Sequence, residues 1–161
     1  MCCPLARGAT IGRKLTIYTD GAARGNPGHA ASGFMVYEEN NQLIYKDAQY
    51  IGKTTNNHAE YAAIVLALKW CASETDADVL SLEVYCDNEL VIRQLTGEYK
   101  IKSKGLRPLN DEVKVLSGRF KGVKFNNVRR ENIYISAVDR SLNVLLDERL
   151  KSTNREKTEK L

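Results

Sequence analysis

Residues 57–88 read NHAEYAAIVLALKWCASETDADVLSLEVYCDN, and a change of period inside them decides the fold class. Ala59, Ala63, Leu66, Ala67 and Trp70 recur at spacings of three and four, which predicts a helix over 57–71. Leu80 to Cys86 alternates apolar with polar residues and predicts a strand. A helix feeding a strand is a crossover. Asp87 ends that strand, at the carboxyl edge where open α/β sheets carry their sites. Asp87 and Asn88 can each cap the next helix, whose apolar positions are Leu90, Val91 and Leu95 and whose stop is Gly97.

Upstream, Leu15 to Thr19 reads as a strand ending at Asp20, followed by the turn-rich GAARGNPGHA. Ala31–Tyr37 and Leu43–Ile51 flank the polar EENNQ turn as an antiparallel pair beside the first strand. Downstream, Gly105 and Pro108 break a basic stretch. Leu109, Val113, Leu116 and Phe120 then predict a helix, Val123–Val128 a strand and Ser136–Leu150 a final helix with Val138, Leu142, Leu145 and Leu146 inward. The charged segment 151–161 is expected to fray. The expected fold is α/β, a mixed five-stranded sheet flanked by helices, with one catalytic domain over 13–150 and short tails at 1–12 and 151–161.

A chain of 161 residues with 43% hydrophobic composition suits one well-buried domain. The net charge of +4 is unevenly spread: Arg93 to Arg130 holds eleven Lys or Arg against three acids, a surplus of eight, which leaves −4 elsewhere. Such asymmetry suits a polyanion gripped through its phosphates. Cys2 and Cys3 fall in the N-terminal tail, while Cys71 and Cys86 read as small core residues, and none has metal-site spacing. With no signal-like apolar start, a reduced cytoplasmic compartment is expected. The apolar run 59–71 is interrupted by Glu60, Tyr61 and Lys69 and is too short to span a bilayer, so no membrane role is expected.

Four acids, Asp20, Glu60, Asp87 and Asp139, stand in four different neighbourhoods that a parallel α/β core could bring to one edge. Carboxylates meeting there would repel one another unless divalent cations neutralised them, and an all-oxygen donor set favours Mg²⁺ or Mn²⁺ over Zn²⁺. Two such ions about 3.5 to 4 Å apart perform phosphoryl transfer by serving the attacking water and the leaving oxygen. Asp20, on the expected central strand beside glycines, is the candidate bridging ligand. Read singly, Asp20 is also a turn former, Glu60 a favourable charge in a first helical turn and Asp87 a cap.

The blocks YTDGAARGNPG, TTNNHAEYAAI, YCDNELVIRQLTGEYK and VDRSLNVLLDE resemble, in order, the motifs of the type 1 ribonuclease H family in its compact bacterial and archaeal forms. The resemblance implies that family's fold, places its catalytic and metal-binding carboxylates on Asp20, Glu60, Asp87 and Asp139, and implies a pair of Mg²⁺ or Mn²⁺ ions. It implies endonucleolytic hydrolysis of the RNA strand of RNA–DNA hybrids to 5′-phosphate and 3′-hydroxyl ends, with duplex RNA a further substrate as in some compact relatives. No obligate protein partner is implied. Three extra residues separate Asn132 from Asp139 relative to the family pattern, so an enlarged approach loop is expected there, with Asp139 retained and Asp147 a surface acid. Neither His29 nor His58 matches the family's flexible histidine; Arg129 or Arg130 occupies the corresponding place and could hold phosphate. Asn26, Asn57 and Asn88 are the expected contacts to the 2′-hydroxyl. Lys100, Lys102 and Lys104, with Arg93 or Arg107, are expected to track the DNA-strand backbone. A catalytically weak hybrid-binding module and a related metal-dependent DNA nuclease are the alternatives.

Overall fold

The computed structural model describes residues 12–74 and 76–160. Five strands form one sheet: β1 (Arg13–Gly25), β2 (Gly28–Glu38), β3 (Leu43–Thr54), β4 (Leu80–Cys86) and β5 (Gly122–Asn127). Their order is β3-β2-β1-β4-β5, with β2 antiparallel to both β1 and β3, β4 parallel to β1, and β5 parallel to β4. The expected mixed five-stranded sheet is therefore present, with β1 at its centre. The helices are α1 (Asn56–Glu74), α2 (Glu89–Leu95), α3 (Arg107–Ser117) and α4 (Ile133–Glu159), with a single 3-10 turn at Ala77–Val79.

The first strand does not end at Asp20. It runs on to Gly25, paired with β2 through Asp20↔Gly33, Ala22↔Ala31 and Arg24↔His29, so most of the turn-rich segment is ladder and only Asn26–Pro27 turns. The small residues that read as turn formers are needed for close packing instead. A Cβ on Gly21 would lie 2.3 Å from the Ala59 and Glu60 backbone, and one on Gly33 would lie 2.9 Å from Leu142. The two glycines let α1 and α4 close onto opposite faces of the sheet at the level of Asp20.

Helix α1 is buried around more of its circumference than the predicted stripe, adding Tyr61, Ile64, Leu68 and Cys71 to it, because the sheet packs on one side of it and α3 on the other. Cys71 and Cys86 are buried, while Cys2 and Cys3 lie outside the described residues. Pro108 sits in the first turn of α3, where its missing N–H costs nothing, so the helix starts at Arg107 and Phe120 packs beyond its end.

No enlarged loop precedes Asp139. Asn132 caps α4, its Oδ1 accepting from the N–H groups of Tyr134 and Ile135 at 3.0 and 3.2 Å, and the three extra residues become helix. The Tyr134 ring stacks on Tyr18 at 4.5 Å and meets Tyr37 edge-on at 5.1 Å, which holds this added turn on the sheet. At its other end α4 continues to Glu159 rather than fraying at Leu150. No helix among the described residues is long and apolar enough to cross a membrane.

Candidate active site

Parallel pairing of β1 with β4 runs to Tyr18↔Tyr85. Asp20 and Asp87 each stand two residues further on, past the point where the two strands are laced together. Glu60 enters from the first turns of α1, where Gly21 permits backbone contact, and Asp139 from the second turn of α4. The structure brings all four together as an electrostatic group. Burial, then the charges of Asp87 and Asp139, pushes the Asp20 carboxyl up to about 8, and Asp139 shares a hydrogen bond with it. Burial, then Asp20 and Asp87, raises Glu60 well above the carboxylate range. Asp87 is raised chiefly by burial and further by Asp139, with the Arg130 guanidinium pulling the other way.

Asp20 and Glu60 are only 5% and 3% exposed. The Gly21 N–H and the Cys86 thiol are the partners that favour their ionised forms, and no ion pair reaches either among the described residues. Buried acids without cationic partners hold the arrangement in a costly state that a cation would relieve. Glu60, Cys86 and Asp87 place one ligand atom each within 4.8 Å of one another, a cluster able to hold a metal ion.

Sequence reasoning missed two supports of this group. Cys86, read as a core residue, donates its thiol to Glu60 Oε2 at 3.5 Å and accepts from the Asn88 N–H at 3.4 Å. Its position beside Asp87 was the only available signal. Asn143, one helical turn after Asp139, donates Nδ2 to Asp139 Oδ2 at 3.1 Å, while its own Oδ1 accepts from Arg24 at 2.9 Å. That i,i+4 spacing was legible, but the arm from β1 was not.

The asparagines form linked pairs. Asn88 is the cap of α2, accepting the Val91 N–H at 3.1 Å; this fixes its Nδ2 on Asn57 Oδ1 at 2.9 Å. Asp87 therefore does not carry the cap. Asn26 Oδ1 accepts the Asn56 N–H at 3.1 Å and ties the β1–β2 turn to α1. His29 bonds Tyr50 Oη at 2.6 Å, outside the carboxylate group.

In the basic segment, Arg93 is engaged by Glu89 and Glu98 at 2.7 and 3.0 Å and lies over the Tyr99 ring, and Arg107 donates to the Ile101 carbonyl. Lys100 and Lys102 are exposed and make no ion pair among the described residues. Arg129 and Arg130 are exposed on the loop before α4, with Arg130 close enough to act on Asp87.

Residues 18–136 match the family model described as reverse transcriptase-like. The solved RNase H1 of the archaeon Halobacterium salinarum is 31% identical, with a TM-score of 0.78 over 84% of this chain and 98% of that one. The chain belongs to the type 1 ribonuclease H family. LC11-RNase H1, solved in complex with an RNA/DNA hybrid, is 35% identical, with a TM-score of 0.79 over 84% of this chain and 99% of that one. Among curated relatives, the ribonuclease HI of Halobacterium salinarum is 38% identical over 96 residues, covering 60% of this chain and 47% of the relative. The bifunctional protein Rv2228c of Mycobacterium tuberculosis is 33% identical over 138 residues, covering 83% and 36%. This ribonuclease H-like chain thus spans about a third to a half of the length of these two curated relatives.

Proposed function

We propose that this chain is a metal-dependent endonuclease that hydrolyses the RNA strand of RNA–DNA hybrids, leaving 5′-phosphate and 3′-hydroxyl ends. The observation that carries the reading is the convergence of Asp20, Glu60, Asp87 and Asp139 at one sheet edge without cationic partners for the two buried acids. An oxygen-rich, mutually repelling donor set fits hard divalent cations, and Asp20, whose charge is felt with each of the other three, is the residue to bridge two of them. Bound Mg²⁺ or Mn²⁺ supplies charge neutralisation and Lewis acidity for water attack on the scissile phosphate and departure of the 3′ oxygen.

The chain's own residues hold and choose the substrate. Asn57 and Asn26 each have the amide oxygen engaged by the protein, which leaves their Nδ2 groups as donors for a 2′-hydroxyl. Asn88, bonded at both ends of its amide, backs Asn57 and has one N–H to offer. Arg130, beside Asp87, binds a phosphate oxygen and eases departure of the charged product, with Arg129 next to it on the same loop. Lys100 and Lys102 contact the DNA-strand backbone without reading bases.

The test is incubation of the purified protein with labelled hybrid, single-stranded RNA, duplex RNA and duplex DNA in Mg²⁺ or Mn²⁺. Metal-dependent cutting of the hybrid's RNA strand to 5′-phosphate ends is expected. Hybrid cleavage without divalent metal, or none in either metal by folded protein, overturns the reading. Cleavage of DNA alone would select a DNA nuclease, and tight hybrid binding without products a binding module.

A further inference from the structure

The thiol of Cys86 is not part of the proposed hard-cation site, yet it stands inside the same group of ligand atoms. Its Sγ lies 3.5 Å from Glu60 Oε2, and an Asp87 carboxylate oxygen completes a triangle within 4.8 Å. Around a tetrahedral Zn²⁺, with bonds of about 2.3 Å to sulfur and about 2.1 Å to oxygen, neighbouring ligand atoms stand about 3.4 to 3.6 Å apart. The Sγ to Oε2 edge already has that length, and the edges to Asp87, within 4.8 Å, close by up to about 1.4 Å on binding. Asp87 is also the more exposed member, which gives an ion an approach to two ligands that are otherwise buried.

The donor chemistry separates two classes of cation. Mg²⁺ and Mn²⁺ take oxygen, so in their presence the thiol keeps its proton and remains a donor to Glu60. A thiophilic ion displaces that proton. The Asn88 N–H, already aimed at Sγ from 3.4 Å, would hydrogen-bond the resulting thiolate.

We propose that Glu60, Cys86 and Asp87 form a sulfur-containing site for Zn²⁺ that competes with the hard cations for two of their carboxylates. On binding, a bond forms from the ion to Sγ, the thiol proton passes to solvent, and no electron is transferred. The competition rests on the proposed function; the existence of the site does not.

The experiment uses the full chain with Cys2→Ser, Cys3→Ser and Cys71→Ala, which leaves Cys86 as the only thiol, and contains no nucleic acid. Titration with Cd²⁺ as probe should produce thiolate-to-metal ultraviolet absorption saturating at one equivalent, and X-ray absorption of the Zn²⁺ form should show one sulfur among oxygen ligands. Glu60→Gln should weaken Cd²⁺ binding by about 100-fold while the absorption is still reached at excess Cd²⁺. Absence of the absorption at stoichiometric Cd²⁺, or a zinc shell without sulfur, overturns the site whether or not hybrids are cleaved. Zinc-loaded wild-type protein should lose hybrid cleavage and regain it after chelation and Mg²⁺ addition. Cleavage by the zinc-loaded protein at the Mg²⁺ rate overturns the competition.

Discussion

Two buried polar groups begin at adjacent residues of α1 and are built on opposite principles. From Tyr61, the phenol donates to Gln94 Oε1 at 2.8 Å and accepts from Asn110 Nδ2 at 3.2 Å, a neutral network in which each group bonds its neighbour and α1, α2 and α3 are locked together. From Glu60, acids face one another across the sheet edge, burial and mutual repulsion holding protons on Asp20 and Glu60, with a thiol and the Gly21 N–H as their supports. Burial of a satisfied neutral network costs little and specifies one packing. Burial of repelling acids is a standing cost that a cation bound at the proposed site would offset. The contrast teaches that the same depth in the same helix holds a satisfied network at one residue and, under the proposed function, a metal-binding acid at its neighbour.

The strongest challenge to this contrast is Asp20→Asn. Hybrid cleavage should fall by about 100-fold or more, since under the proposed function the variant loses a metal-binding carboxylate and with it several kcal/mol of transition-state stabilisation. Metal-free stability at pH 8 should rise at the same time, seen as a higher melting temperature in chelator. An active variant, or one less stable than wild type under those conditions, would collapse the distinction between the two groups.

Asp139→Asn should lower turnover by about tenfold to 100-fold with near-native circular dichroism and unchanged hybrid affinity in Ca²⁺, as expected for a ligand at the edge of the group. Asp147→Asn, which removes only an exposed pair with Arg24, should change stability by under about 1 kcal/mol and leave turnover intact. Equal effects of the two would remove Asp139 from the site.

Tyr61→Phe should do the opposite of Asp20→Asn. It strands Gln94 and Asn110 in the core and should cost about 1 to 3 kcal/mol in chemical denaturation, with the rate per folded molecule preserved.

The acid group should also show itself in the pH dependence of the metal-free protein. Folded Asp20 holds its proton up to about 8, against an ordinary value of 3.8, so between those limits the folded state binds more protons than the unfolded chain. That contribution makes stability fall as pH rises from about 4 to about 8, and saturating Ca²⁺ or Mg²⁺ should flatten the slope. A slope of the same size in Asp20→Asn would assign it elsewhere. The smallest effect belongs to the exposed cations: Lys100→Ala or Lys102→Ala should each reduce the slope of log affinity against log salt by about one, with no change in stability.

Much of this was legible because it is local. The period change at residues 57–88 placed α1 within three residues at either end and β4 to the residue, and the four acids stood out by the motif blocks around them, Asp87 directly after β4 and the other three inside β1, α1 and α4. Asn88 as a cap was readable too, since the accepting side chain and its donor, the Val91 N–H, lie three residues apart. What failed to show were groups whose meaning lies across the sheet. Gly21, Ala22 and Ala23 read as a turn because small residues serve both turns and close packing, and only the partner strand and the two helices distinguish these uses.

By itself, then, the sequence determined the element types, the crossover and the identity of the acids, because helical and strand periods and capping act over a few residues and leave their mark in spacing. Tertiary structure alone decided that β1 continues past Asp20, that the residues before Asp139 become helix under the stacked ring of Tyr134, and that Arg24 reaches Asn143 across 119 positions. It also decided that a core cysteine faces Glu60. Those outcomes depend on the energies of contacts between residues far apart in the chain, which no local period encodes.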